Sequence, residues 1–158
     1  RYLMTQLKTL AKYILFFVSL PTMVLSDSNG KIDTRINKLV NSAKESCISD
    51  GGKLKLSGSE VREFDFNSDD ITDLTVLNER EYNCSSSASL FQGTAGAMIH
   101  MITDNDYISG YAREFEVITA FNNKKVILLS LNGVSCGEVG FVSCVQAITL
   151  HEGRFISN

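Results

Sequence analysis

Between residues 32 and 47 the apolar positions Ile32, Ile36, Leu39, Val40, Ala43 and Cys47 recur at steps of three and four, the spacing that lines one face of a helix. Asp33 is placed to cap its start and Gly51-Gly52 to end it. Beyond residue 52 the pattern changes to short, partly alternating apolar runs, which predict strands over 53–56, 61–66, 73–77, 97–103, 107–118, 125–131, 145–150 and 154–156. Turn-forming clusters separate them: Ser57-Gly58-Ser59, Gly93-Thr94-Ala95-Gly96, Asp104-Asn105-Asp106, Asn122-Asn123, Asn132-Gly133 and Glu152-Gly153. The predicted fold class is α+β, mainly antiparallel β: an N-terminal helix followed by a β meander, either compact and sandwich-like or a partly open barrel. No proline follows Pro21, so none of these runs carries the residue that would confine it to a sheet edge.

The first 26 residues read differently. With a start at Met4, Lys8 and Lys12 form a positive region, 13–20 an apolar one, and Val24-Leu25-Ser26 a small-residue cleavage site, which together predict a secretory signal peptide cut after Ser26. The apolar run is interrupted by Pro21 and is shorter than the roughly 20 residues a membrane span needs. The expected organisation is therefore 1–26 as upstream residues and signal peptide, 27–52 as the N-terminal helix and linker, and 53–158 as the β domain. Removing 26 of 158 residues leaves 132, enough for one domain with a real core.

Export changes how the cysteines are read. Cys47, Cys84, Cys136 and Cys144 are an even set in the mature part, which predicts two disulfides. Of the three possible pairings, loop size favours Cys136 with Cys144 as a local clasp, leaving Cys47 with Cys84 as the long-range bridge. No C-x-x-C occurs, and only His100 and His151 could add nitrogen ligands, so a zinc site or thiol nucleophile is disfavoured.

All 18 acidic residues but only 12 of the 15 basic ones follow Ser26, a net charge of −6. From Glu60 to Glu81 eight acids face Arg62 and Arg80 alone, so the whole excess is concentrated there. Such a chain offers no clustered cations for nucleic acid or an anionic membrane. Within this segment, Asp65, Asn67, Asp69, Ile71 and Asp73 fall at the first, third, fifth, seventh and ninth positions of DFNSDDITD. Calcium takes six to eight oxygen ligands, and alternate side-chain oxygens on a tight turn, with a backbone carbonyl from Ile71, can converge on one such ion. The flanking strands can pair and hold the loop ends together. The alternative is a polar turn whose Asp and Asn residues serve only turn geometry.

DFNSDDITDLTVL resembles the D-x-N-x-D-G-x-x-D-L calcium loop of FG-GAP and VCBS-type repeats over about 13 residues. The resemblance implies Asp65, Asn67, Asp69 and Asp73 as side-chain ligands. It departs at Asp70, where the pattern has glycine because the backbone needs a positive φ. The motif occurs once, which excludes a propeller of repeated blades. More loosely, the order of features from Cys47 to Phe155 resembles a group of small exported proteobacterial proteins: a cysteine, the acidic loop, a second cysteine before F-x-G-T-x-G at 91–96, a Cys-Gly turn and a terminal Arg-Phe. This likeness implies a periplasmic or secreted protein and supplies no reaction.

Candidate catalytic groups are sparse. Glu114 and Glu116 share a strand face as paired carboxylates could, but their alternation is that of an ordinary exposed strand. His151 lies beside a turn, and His100 falls opposite Ile99 and Met101, where alternation points it to solvent. Gly93 and Gly96 precede no helix and cannot form a dinucleotide loop. Two functions remain: an envelope binding or inhibitor module whose acidic face suits a basic protein or cell-wall component, or a small metal-assisted hydrolase.

Overall fold

The computed structural model describes residues 28–157; the predicted signal peptide lies outside them. Helix α1 spans Ser28–Ser49, so Asp33 sits inside the helix and not at its cap. Its end is as expected: Gly51 takes φ +81°, and the amides of Gly51 and Gly52 donate to the carbonyls of Ile48 and Cys47. A left-handed glycine lets the chain fold back over carbonyls that the helix leaves unpaired.

Eleven strands follow: β1 Leu54–Leu56, β2 Val61–Phe64, β3 Leu74–Asn78, β4 Tyr82–Cys84, β5 Gln92–Gly93, β6 Gly96–Ile102, β7 Tyr107–Ala112, β8 Glu114–Thr119, β9 Lys125–Asn132, β10 Ser143–His151 and β11 Arg154–Ser157. All described pairings are antiparallel. One sheet runs β2-β3-β6-β7, with β5 pairing the start of β6. The other is a meander, β11-β10-β9-β8, and β1 and β4 form a separate ribbon. Both large sheets are open, and no closed barrel forms among the described residues.

Two apolar clusters position these elements. Leu74, Val76, Ile99, Met101 and Ala112 of the first sheet pack with Ile127, Leu129 and Ile148 of the second. On the first sheet's opposite face, Leu77, together with Tyr82 of the β1–β4 ribbon, receives Ala43, with Ile36, Leu39 and Val40 of α1 packed around them. Each such side chain taken from water contributes roughly 1.5–3 kcal/mol. The first sheet is thus covered on both faces, and the residues of β6 other than Met98 are buried.

The run 107–118, expected as one strand, breaks at Arg113 and feeds two different sheets. Arg113 anchors the corner: its amide donates to the Ser130 carbonyl at 2.7 Å, Nη1 to Ser143 Oγ at 2.7 Å and Nη2 to the Gly140 carbonyl at 2.7 Å. Beside it, Gly96 has φ +105°, and a Cβ there would run into the Ala112 carbonyl. Strands β4 and β5, too short to show a period, escape sequence reading.

The disulfides are Cys47–Cys84 and Cys136–Cys144, the favoured pairing. The first ties the end of α1 to β4 and the second clasps the turn between β9 and β10. In the chain-entropy picture, replacing both cysteines of the first bridge, whose partners lie 37 residues apart, costs about 4 kcal/mol. Opening the second, with a separation of 8, costs about 2.5 kcal/mol. Denaturant unfolding of Cys47→Ala/Cys84→Ala and Cys136→Ala/Cys144→Ala should show that order; the reverse would mean that α1 is held mainly by its apolar face.

Candidate functional site

The acidic loop leaves β2 at Phe64 and re-enters β3 at Leu74, and these two residues are register partners. The paired strands therefore hold the loop ends together, as the spacing requires. Inside the loop the side chains fold back onto backbone amides. Asp65 Oδ1 accepts from the amides of Asn67 at 3.0 Å and Ser68 at 2.6 Å, and Oδ2 from Asp70 at 3.0 Å. Asp73 Oδ2 accepts from Phe66 at 2.7 Å and Asn67 at 3.2 Å. Asn67 Oδ1 and Asp69 Oδ1 each accept from the amide two residues on, both at 2.9 Å, and the Asn67 side-chain amide donates to Asp69 Oδ2. Lys125 Nζ, reaching from β9, donates to the Asp65 carbonyl.

Asp70 has φ +65°, the left-handed conformation for which the resembled pattern uses glycine, and Ser68 has φ +66°. Aspartate adopts this region more readily than most residues. Burial alone would raise the Asp65 pKa, but hydrogen bonds from the amides of Ser68, Asp70, Asn67 and Asp69 outweigh it and hold this carboxyl below its ordinary value of 3.8. The donor set, carboxylate and carboxamide oxygens with the Ile71 carbonyl, has the chemistry of a calcium site. In this arrangement backbone amides take the inward oxygens. Among the described residues no three Asp, Glu, His or Cys side chains gather closely enough to hold a metal ion.

The second constellation escaped sequence reading. His100 does not point to solvent but is buried, at 5% exposure, on the face of β6 that α1 covers. Its Nε2 lies 2.9 Å from Glu79 Oε1 and its Nδ1 2.8 Å from the Tyr107 hydroxyl. An ionised carboxylate can only accept, so Nε2 carries a proton; in the neutral imidazole, Nδ1 then accepts from Tyr107. Arg35 of α1 stands over the Tyr107 ring, its guanidinium carbon 4.6 Å from the ring centre. Helix and sheet are thus joined by a polar chain running Glu79, His100, Tyr107, Arg35. Nearby, burial and the negative charges of Glu79 and Glu60 push the Tyr82 phenol well above its ordinary value. The only signal for this network was a histidine inside an apolar run, and the alternation argument discounted it.

The remaining candidates are dispersed. Glu114 and Glu116 are exposed on β8, and His151 is exposed at the end of β10. Gly93 and Gly96 face each other across the tight β5–β6 hairpin. All four cysteines are in disulfides. Among the described residues no helix is long and apolar enough to cross a membrane.

Asp106 is a second carboxyl held below 3.8, because bonds from the amides of Phe155 and Tyr107 outweigh burial, with help from Arg154. For both Asp65 and Asp106 the folded-state pKa is depressed. Their contribution to stability is therefore complete above the unfolded value and is lost as pH falls through the folded one. Carboxyl carbon NMR titrations should place both midpoints below 3.8, and Asp65→Asn should remove part of the acid sensitivity of unfolding; a midpoint at or above 3.8 for Asp65 would mean that the loop amides do not hold it. Comparison of the chain with protein-family models, with curated proteins and with solved structures finds no match.

Proposed function

We propose that the protein is a periplasmic or secreted binding module: a disulfide-stapled, sandwich-like domain, stabilised by calcium at the loop from Asp65 to Asp73, that presents this acidic loop to a basic envelope protein or cell-wall component. The observation that carries the reading is the loop's internal order. Seven hydrogen bonds from its amides to its own side chains fix the backbone and an eighth joins the side chains of Asn67 and Asp69, while Asn67, Asp69 and Asp70 stay exposed. A surface ordered before binding loses little conformational entropy on association. Its concentrated negative charge steers a cationic partner and disfavours an anionic one. The two disulfides suit an oxidising compartment outside the cytoplasm.

The FG-GAP and VCBS-like spacing and the left-handed backbone at Asp70 support calcium in the loop. Asp65, Asn67, Asp69 and Asp73 would supply side-chain oxygens and Ile71 its carbonyl, and the ion would neutralise carboxylates crowded on one turn. A metal-assisted hydrolase lacks such support. The His–carboxylate pair, His100 and Glu79, belongs to the far end of β3 from the loop, and five strand residues span about 16 Å.

A ligand that binds only the folded state raises its stability by mass action. Millimolar calcium should raise the thermal unfolding midpoint of the mature protein, chelator should reverse the shift, and Asp65→Ala and Asp69→Ala should abolish it. An unmoved midpoint reduces the loop to a hydrogen-bonded turn. For the partner, capture from envelope extract by the wild-type protein should weaken with rising salt and with Asp69→Asn/Asp70→Asn; capture indifferent to both would sink the acidic-loop reading. Calcium-dependent turnover of peptidoglycan or glycosides would instead favour the hydrolase.

A further inference from the structure

Lys31, Arg35 and Lys38 follow one another at steps of four and three, which sets them in a row on one face of α1. The row opens on a cleft of about 980 Å3, which Thr34 and Ser42 also line and for which Tyr107 of β7 forms the wall. Among the described residues no Lys or Arg, these three included, has a carboxylate within bridging distance. Within the described residues, three cations without a carboxylate partner thus share one face of a net-negative protein. All three side chains are exposed, and the cleft beside them lets one ligand reach them together.

Arg35 is also held in position. Its guanidinium lies over the Tyr107 ring, Tyr107 is tied through its hydroxyl to His100, and His100 is tied to Glu79. A planar guanidinium resting on an aromatic face keeps its N–H edges free for oxyanions. We propose that this cleft is a binding site for a small multivalent oxyanion, a ligand carrying two or three carboxylate or phosphate groups. Lys31 and Lys38 are seven residues apart on the helix, so the anionic groups would be distributed over about 10 Å. Ser42 supplies a neutral hydroxyl along the same wall, while the Thr34 hydroxyl donates to the Gly30 carbonyl at 2.6 Å and the Tyr107 ring is covered by Arg35. The site is separate from the acidic loop, which lies between β2 and β3, two strands away from β7 across the sheet. It stands or falls independently of the calcium and basic-partner reading.

The test is calorimetric titration of the mature protein with tripolyphosphate and, separately, with citrate, at near-physiological salt. At least one probe should give a one-site isotherm, with NMR perturbations centred on Arg35 and Tyr107. Lys31→Gln/Lys38→Gln should weaken binding at least about tenfold, as expected for loss of charge-assisted contacts. Arg35→Gln should do the same. The control Lys53→Gln/Lys55→Gln, which neutralises two exposed lysines of β1 and its approach, should leave affinity unchanged. Thermal midpoints of the variants check folding, and the lysine pair keeps the test valid if Arg35→Gln loosens the helix. Binding of tripolyphosphate alone identifies phosphoryl groups as the ligand chemistry and of citrate alone carboxylates. The proposal is overturned if neither probe binds more tightly than about 10 mM, or if the control weakens binding as much as Lys31→Gln/Lys38→Gln does.

Discussion

Strand β6 has no solvent face, and most of the molecule follows from that. Ile99 and Met101 enter the core shared with the second sheet, while His100 and Ile102 lie buried on the opposite face of the strand. A sheet buried on both faces needs a layer on each. The meander β8 to β11 supplies one and α1 the other, and the Cys47–Cys84 bridge ties the helix end to the β1–β4 ribbon beside it. Burial on the helix side also makes a demand on His100. A buried ring nitrogen without a partner costs roughly 1–3 kcal/mol, and Glu79 and Tyr107 meet that demand on the two nitrogens. The polar chain that ends at Arg35 and the cleft is thus a consequence of placing a histidine on a two-faced strand.

This explains what the sequence could and could not reveal. The helix, the long strands, the disulfide pairing and the paired strands around the acidic loop were legible because each leaves a periodic or spacing signal. The fate of His100 was not, because reading one residue as core and the next as solvent assumes a sheet with one wet face. The corner at Arg113 was hidden for a related reason. The inward positions change phase between β7, with Ile108 and Ala112, and β8, with Phe115 and Val117, and the break is made by bonds from Arg113 to Ser130, Ser143 and Gly140, which are 17 to 30 residues away in sequence. That shift of phase at one arginine is its local mark, and over so few residues it passes for one continuous strand. Strands β4 and β5, of three and two residues, exist because neighbours pair with them and not because their own pattern asks for a strand.

The acidic loop was legible as a loop and only partly as chemistry. Alternate Asp and Asn residues produce the same local result under either reading: side-chain oxygens turn inward and collect backbone amides, as Asp65 does with Asn67, Ser68 and Asp70. Amides that converge on a carboxylate stabilise its charged form. They explain why the Asp65 carboxyl is held below its ordinary range and why the backbone tolerates two left-handed non-glycine residues. Neither effect requires a cation. A cation becomes useful for a different reason, the mutual repulsion of Asp65, Asp69, Asp70 and Asp73, which amides relieve for each carboxylate singly but not between them.

The protein therefore handles its two signs of charge in opposite ways. The acids are tied into a small loop by their own backbone, with Lys125 reaching only the Asp65 carbonyl and no cation among the described residues bridging a loop carboxylate. The cations of α1 are spread along a helix face, and one of them, Arg35, is positioned from beneath through Tyr107 and His100. Ion pairing between the two sets would have quenched both, since opposite charges within about 4 Å lose most of their reach into solvent. Keeping them two strands apart leaves each surface with an unbalanced local field, and it is on that separation that the two binding proposals, for chemically opposite ligands, both rest.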